Sequence, residues 1–74
     1  MNRNTVYTLN KAQERKLRKR FPALFEEVIG GKRVSIEVED LYIILPSDPS
    51  GLVEVHCAPG RWLGDISFEE AYKL

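Results

Sequence analysis

Residues 17–31 read LRKRFPALFEEVIGG, and the fold turns on how this stretch runs. Leu17, Phe21, Leu24, Phe25 and Val28 recur at i, i+4, i+7, i+8 and i+11, which is one face of a helix. Pro22 opposes that pattern, because it lacks an N–H and turns Phe21 away from helical backbone angles. A helix kinked at Phe21-Pro22, or two nearly collinear pieces, satisfies both facts. Pro22 then opens the second piece, where its missing donor costs nothing. Gly30-Gly31 is expected to stop the helix in a left-handed conformation. Upstream, Asn10 and Gln13 are spaced as a capping box, and the residues from Lys11 to Arg20 are mostly strong helix formers. Thr5–Leu9 is expected as a short strand or a loose end.

Downstream the periodicity changes. Val34, Ile36 and Val38 alternate with Ser35, Glu37 and Glu39, the pattern of a half-buried strand. Leu41–Leu45 is a denser apolar run and reads as the central strand. Of a tight hairpin at Glu39-Asp40 and one long strand bent at a bulge, the hairpin is the expectation. Pro46–Gly51 (PSDPSG) is a turn, and Leu52–Cys57 returns with Val53, Val55 and Cys57 on one face. Arg61–Ile66 extends the chain, and Ser67 with Glu70 caps a last helix whose Phe68, Ala71 and Tyr72 pack back. The expected fold class is α+β: a single domain over 1–74, with a kinked N-terminal amphipathic helix on a three-stranded antiparallel sheet and a short C-terminal helix. Its expected core sets Leu17, Phe21, Leu24, Phe25 and Val28 against Ile36, Val38, Ile43, Leu45, Val53 and Val55.

Composition sets the boundaries of function. A chain of 74 residues, 43% hydrophobic and 30% charged, makes one small globule. Its single cysteine (Cys57) and single histidine (His56) exclude an internal disulfide, a cysteine-cluster metal site and the two-histidine zinc patterns. No apolar run approaches the roughly 18–20 residues of a membrane span, and the opening MNRNTVYTLNK lacks a signal-peptide core. The expectation is a cytoplasmic protein with no membrane contact and no cofactor.

The formal net charge of zero hides a division. Residues 1–20 hold seven cations against one carboxylate, and residues 21–74 hold four cations against ten carboxylates. Lys11, Arg15, Arg18 and Lys19 share one helical face, with Lys16 and Arg20 beside them. Like charges at this spacing repel, so folding does not require them, and a negatively charged partner is implied. A solvated face balancing the protein's own acidic sheet is the plainer alternative. Glu37, Glu39, Asp40 and Glu54 read as charges that protect a sheet edge, with a docking surface for a basic partner as the functional alternative; no ordered cation-binding loop accompanies them. His56 and Cys57 are strand neighbours on opposite faces and cannot act together as base and nucleophile. Gly30-Gly31-Lys32 follows a helix instead of leading into one and lacks the remainder of a phosphate loop. Trp62 reads as a core lid, or, with Arg61, as an interface anchor. No constellation supports catalysis, and no enzyme is expected. The residues expected to meet a partner are Lys11, Arg15, Arg18, Lys19 and Arg20, with Arg61 and Trp62.

LNKAQERKLRKRFPALFEEVIGG followed by KRVSIEVEDLYIIL places a basic helix ahead of a small acidic sheet. In size, layout and charge, though not in any motif, this resembles the small regulators that lytic phages direct against host machinery, those that bind host RNA polymerase above all. The resemblance implies a large host protein as partner. It further implies inhibition of initiation or altered termination, through contact with a polymerase subunit or displacement of the sigma factor. No residue role carries over from it. The alternative is a nucleic-acid-binding domain that uses the basic helix 11–20.

Overall fold

A computed structural model describes residues 4–48 and 50–74. Strand β1 (Thr5–Thr8) leads into helix α1 (Lys11–Arg20) and a 3-10 turn (Pro22–Phe25). Strands β2 (Glu26–Ile29), β3 (Lys32–Ser35), β4 (Tyr42–Leu45), β5 (Val53–Cys57) and β6 (Arg61–Ile66) follow, and helix α2 (Phe68–Tyr72) closes the order. The class is α+β, but among the described residues six strands form two sheets: an antiparallel four-stranded sheet in the order β1-β4-β5-β6, and the separate hairpin β2-β3. No helix among the described residues is long and apolar enough to cross a membrane.

The expected kinked helix on a three-stranded sheet is therefore corrected, and the cause lies at Pro22. The helix begins as its sequence dictates, with Asn10 Oδ1 accepting the Gln13 N–H (2.8 Å) and Gln13 Oε1 accepting the Asn10 N–H (2.9 Å). It ends at Arg20, because Phe21 adopts φ −130°, ψ 62° ahead of the proline. The chain turns once in 3-10 geometry and then becomes extended. Gly30 (φ 59°) and Gly31 (φ 79°) both take left-handed angles, as the two central residues of a primed hairpin turn must. The pair is a strand-to-strand turn, not a helix stop. It sets Val28 opposite Arg33 and Ile29 opposite Lys32, where the β-branched residues favour extended backbone. Val28 leaves the expected core and is 70% exposed.

The hairpin expected at Glu39-Asp40 is absent for the same reason: β3 already has β2 as its partner. Residues 36–41 form an irregular crossing in which the Ile36 N–H donates to the Phe25 carbonyl (2.8 Å), and Asp40 sits at φ 52°. Ile36 and Val38 are half-buried against the core. Leu41 is fully buried, and its carbonyl accepts the Leu9 N–H (3.0 Å).

Strands β4 and β5 pair antiparallel as the alternation predicts, and β1 and β6 flank them as edges. In the connecting turn the Ser50 N–H donates to Asp48 Oδ1 (3.0 Å), which holds the Asp48 carboxyl below its ordinary value. The inner sheet face carries Ile43, Val53, Val55, Cys57 and Ile66, all buried, and is covered by Leu17 of α1 and by Phe25. Burying an aliphatic side chain of this size contributes about 1.5–3 kcal/mol. Helix α2 starts where Ser67 Oγ accepts the Glu70 N–H (3.1 Å). Phe68 and Ala71 pack against the core, whereas Tyr72, expected to do so, is 86% exposed.

Leu24, half-buried on the 3-10 turn, sits directly over Gly64 of β6, where an added methyl would overlap its Cδ2. Gly64→Ala is therefore expected to destabilise the protein by about 1–3 kcal/mol through overpacking. In a Leu24→Ala background the same change costs markedly less. Urea unfolding of the four chains of this cycle checks the pair.

Candidate functional site

The residues expected to meet a partner do not form one surface. Arg18 is half-buried: its guanidinium lies 4.7 Å from the Phe25 ring centroid and donates to the Val38 carbonyl (3.2 Å). Arg20 pairs with Glu70 of α2 (3.3 Å), which draws that carboxylate away from the cap it was expected to complete. Arg61 pairs with Glu27 at the base of the hairpin. These three arginines stitch elements together. Lys11, Arg15 and Lys19 are exposed, as is Lys16, and none has an ion-pair partner among the described residues. Arg61 and Trp62 are neighbours on β6, but Arg61 lies opposite inward-facing Cys57 and Trp62 opposite outward-facing His56. They serve opposite faces of the sheet.

Trp62 is 57% exposed, which corrects its reading as a core lid. Its indole is held in place by Nε1–H donating to Asp65 Oδ1 (3.0 Å). The register of the sheet extends this position into a row. Thr8 lies opposite Tyr42, Tyr42 opposite His56, and His56 opposite Trp62, one residue from each strand. Tyr42 and His56 stack with ring centroids 5.4 Å apart and planes 16° apart, and His56 Nε2 lies 3.0 Å from Glu54 Oε1. A second row runs Val6, Ile44, Glu54, Asp65. No helix among the described residues covers these two rows: Val6, Thr8, Trp62 and Asp65 are exposed and the other four are half-buried. A bulge after Val55 is what brings Trp62 level with His56 on this side.

Sequence reasoning marked Trp62 but missed Tyr42 and His56 as its companions. The available signal was parity: Glu54 and His56 alternate with the apolar residues of β5, so their face is the one turned to solvent. The cross-strand row itself needs the register.

The remaining features are separate from this face. A groove of about 330 Å³ between β1, β4 and α2 is lined by Tyr7, Leu9, Ile43, Leu45, Phe68 and Tyr72 among others. The hairpin tip exposes Val28 and Ile29. Cys57, the last residue of β5, is a buried free thiol on the inner face of the sheet. Among the described residues, no three His, Cys, Asp or Glu side chains gather as metal ligands. Comparison with protein-family models, with curated proteins and with solved structures gives no match.

Because Trp62 lies outside the core, Trp62→Ala is expected to change stability by less than about 1 kcal/mol. Leu17→Ala, at a fully buried position, should cost about 2–5 kcal/mol. Trp62 is also the protein's single tryptophan, so its fluorescence in the folded state should be quenched efficiently by iodide and shift little in wavelength on unfolding.

Proposed function

We propose that this chain is a non-catalytic, cytoplasmic protein-binding module. The observation that carries the reading is the uncovered outer face of the four-stranded sheet, with the fixed and exposed Trp62 beside Tyr42 and His56. Exposed aromatic residues held in one conformation are the usual anchors of protein interfaces, since they bury much area with little loss of side-chain freedom. A domain of this size commits a large share of its surface to a standard interface of roughly 800 Å² per partner. It therefore acts by occupying a site on a larger body, as a regulator of a machine such as RNA polymerase would. Size and charge layout support that choice of target.

Nucleic-acid binding is the second reading, and the unpaired Lys11, Arg15, Lys16 and Lys19 favour it. It predicts affinity that falls steeply with salt.

The test is capture of partners from a bacterial lysate by the tagged full chain with nuclease present, followed by titration of the captured protein. The expected outcome is a stoichiometric protein complex whose affinity drops about thirtyfold or more with Trp62→Ala, the loss typical of an interface hot spot. Reversing Lys11, Arg15 and Lys19 to glutamate should alter association rate and salt dependence more than final affinity. Arg18 is left intact in that variant because it packs on Phe25. Retention of nucleic acid alone, lost on nuclease treatment, would transfer the function to α1.

A further inference from the structure

Resting on the protein-binding reading above, we propose that the outer sheet face receives an arginine-bearing peptide segment of another protein. A guanidinium stacks on the Trp62 indole within reach of the carboxylates of Asp65 and Glu54.

Three observations define this occupant. The first is the preformed aromatic surface. Trp62 is fixed by Asp65 and remains 57% exposed, and Tyr42 and His56 stand stacked beside it. A cation over an exposed indole gains from the negative face of the ring, and arginine, being planar and weakly hydrated, stacks better than lysine.

The second is charge. The eight outward positions of the four strands hold two carboxylates and no lysine or arginine. Each carboxylate spends one oxygen inside the face, Asp65 Oδ1 on Trp62 and Glu54 Oε1 on His56. The other oxygen of each has no side-chain partner among the described residues. Two acceptors beside an indole suit the fork of a guanidinium. They oppose the phosphates that a base-stacking platform would have to tolerate.

The third is extent. Four strands at roughly 4.8 Å spacing give a platform about 15 Å across. That matches four or five residues of extended chain, with Val6 and Ile44 as apolar ground for their aliphatic parts. The protein's own α1 offers poorer cations for this purpose. Three of its four exposed and unpaired cations are lysines (Lys11, Lys16, Lys19), and Arg18 and Arg20 are already engaged.

The full isotope-labelled chain is titrated, by two-dimensional amide NMR, with a short Arg/Gly peptide, with Lys/Gly and Glu/Gly peptides of equal length, and with single-stranded oligothymidine. The expected result is an Arg/Gly response at the Trp62 indole N–H and at the amides of Tyr42, Glu54, His56 and Asp65. A weaker response to Lys/Gly and none to Glu/Gly should accompany it. Trp62→Ala should weaken the Arg/Gly affinity roughly three- to thirtyfold, and Trp62→Phe should restore part of it. Glu54→Gln with Asp65→Asn should weaken it without disturbing the dispersion of the spectrum.

Absence of an Arg/Gly response, a response centred elsewhere, or an equal response to oligothymidine would each overturn the proposal. So would concentration-dependent shifts at Trp62 without peptide, which would assign the face to a second copy. If the Arg/Gly response fails while the captured complex still depends on Trp62, the arginine inference falls and the binding-module reading stands. If both fail, the reading beneath it falls as well.

Discussion

One missing N–H organises this molecule. Pro22 cannot continue the hydrogen bonding of α1 and keeps Phe21 out of helical geometry, so the helix stops after ten residues. The single 3-10 turn that follows aims Phe25 into the core and sets Leu24 over Gly64 of the far edge strand. That contact ties the helical layer to β6, while Leu17 ties it to the centre of the sheet. The residues immediately after the turn are then free to leave the core. Residues 26–35 fold on themselves as a hairpin, held at the base by the Ile36–Phe25 hydrogen bond and by Arg61–Glu27. Had the helix run on, the same residues would have covered the sheet, and β3 would have been available to pair with β4.

The two faces of the sheet divide the work. The inner face carries the aliphatic residues whose burial stabilises the domain. The outer face is left without a layer, and the side chains there are satisfied locally: Trp62 by Asp65, His56 by Glu54 and by stacking on Tyr42. Such pairing rigidifies the face without hiding it, which reduces the entropy lost when a partner arrives.

Charge is used in a similarly divided way. The excess of cations in the first twenty residues looks like one patch along the sequence. In space two of these cations are engaged, because Arg18 donates to the Val38 carbonyl of the crossing segment and Arg20 pairs with Glu70 of α2. The exposed Arg20–Glu70 ion pair contributes little by itself, and Arg18 is held by a hydrogen bond and by its contact with the Phe25 ring. The effect of these contacts is to remove those arginines from the set available to a partner, leaving a lysine-rich remnant on one side of the molecule and the aromatic row on the other.

Local chemistry was legible in the sequence wherever it needed only near neighbours. The Asn10–Gln13 capping box and the alternation of Val53, Val55 and Cys57 appear as read, and Ser67 caps α2, though without the Glu70 side chain expected to complete that cap. The apolar stripe from Leu17 to Val28 misled because helical spacing past a proline and a strand entering a Gly-Gly turn place apolar residues at the same positions. Only the competition between partners for backbone hydrogen bonds separates the two. That competition was resolved by tertiary structure: β3 pairs with β2, residues 36–41 cross irregularly, and β1 and β6 become the edges. The same holds for the candidate site. Residue types identified Trp62 as a possible anchor, and parity placed Glu54 and His56 on a wet face. The row Thr8–Tyr42–His56–Trp62 exists through strand register and a bulge, which join residues far apart in the chain, and no local pattern encodes such a distance.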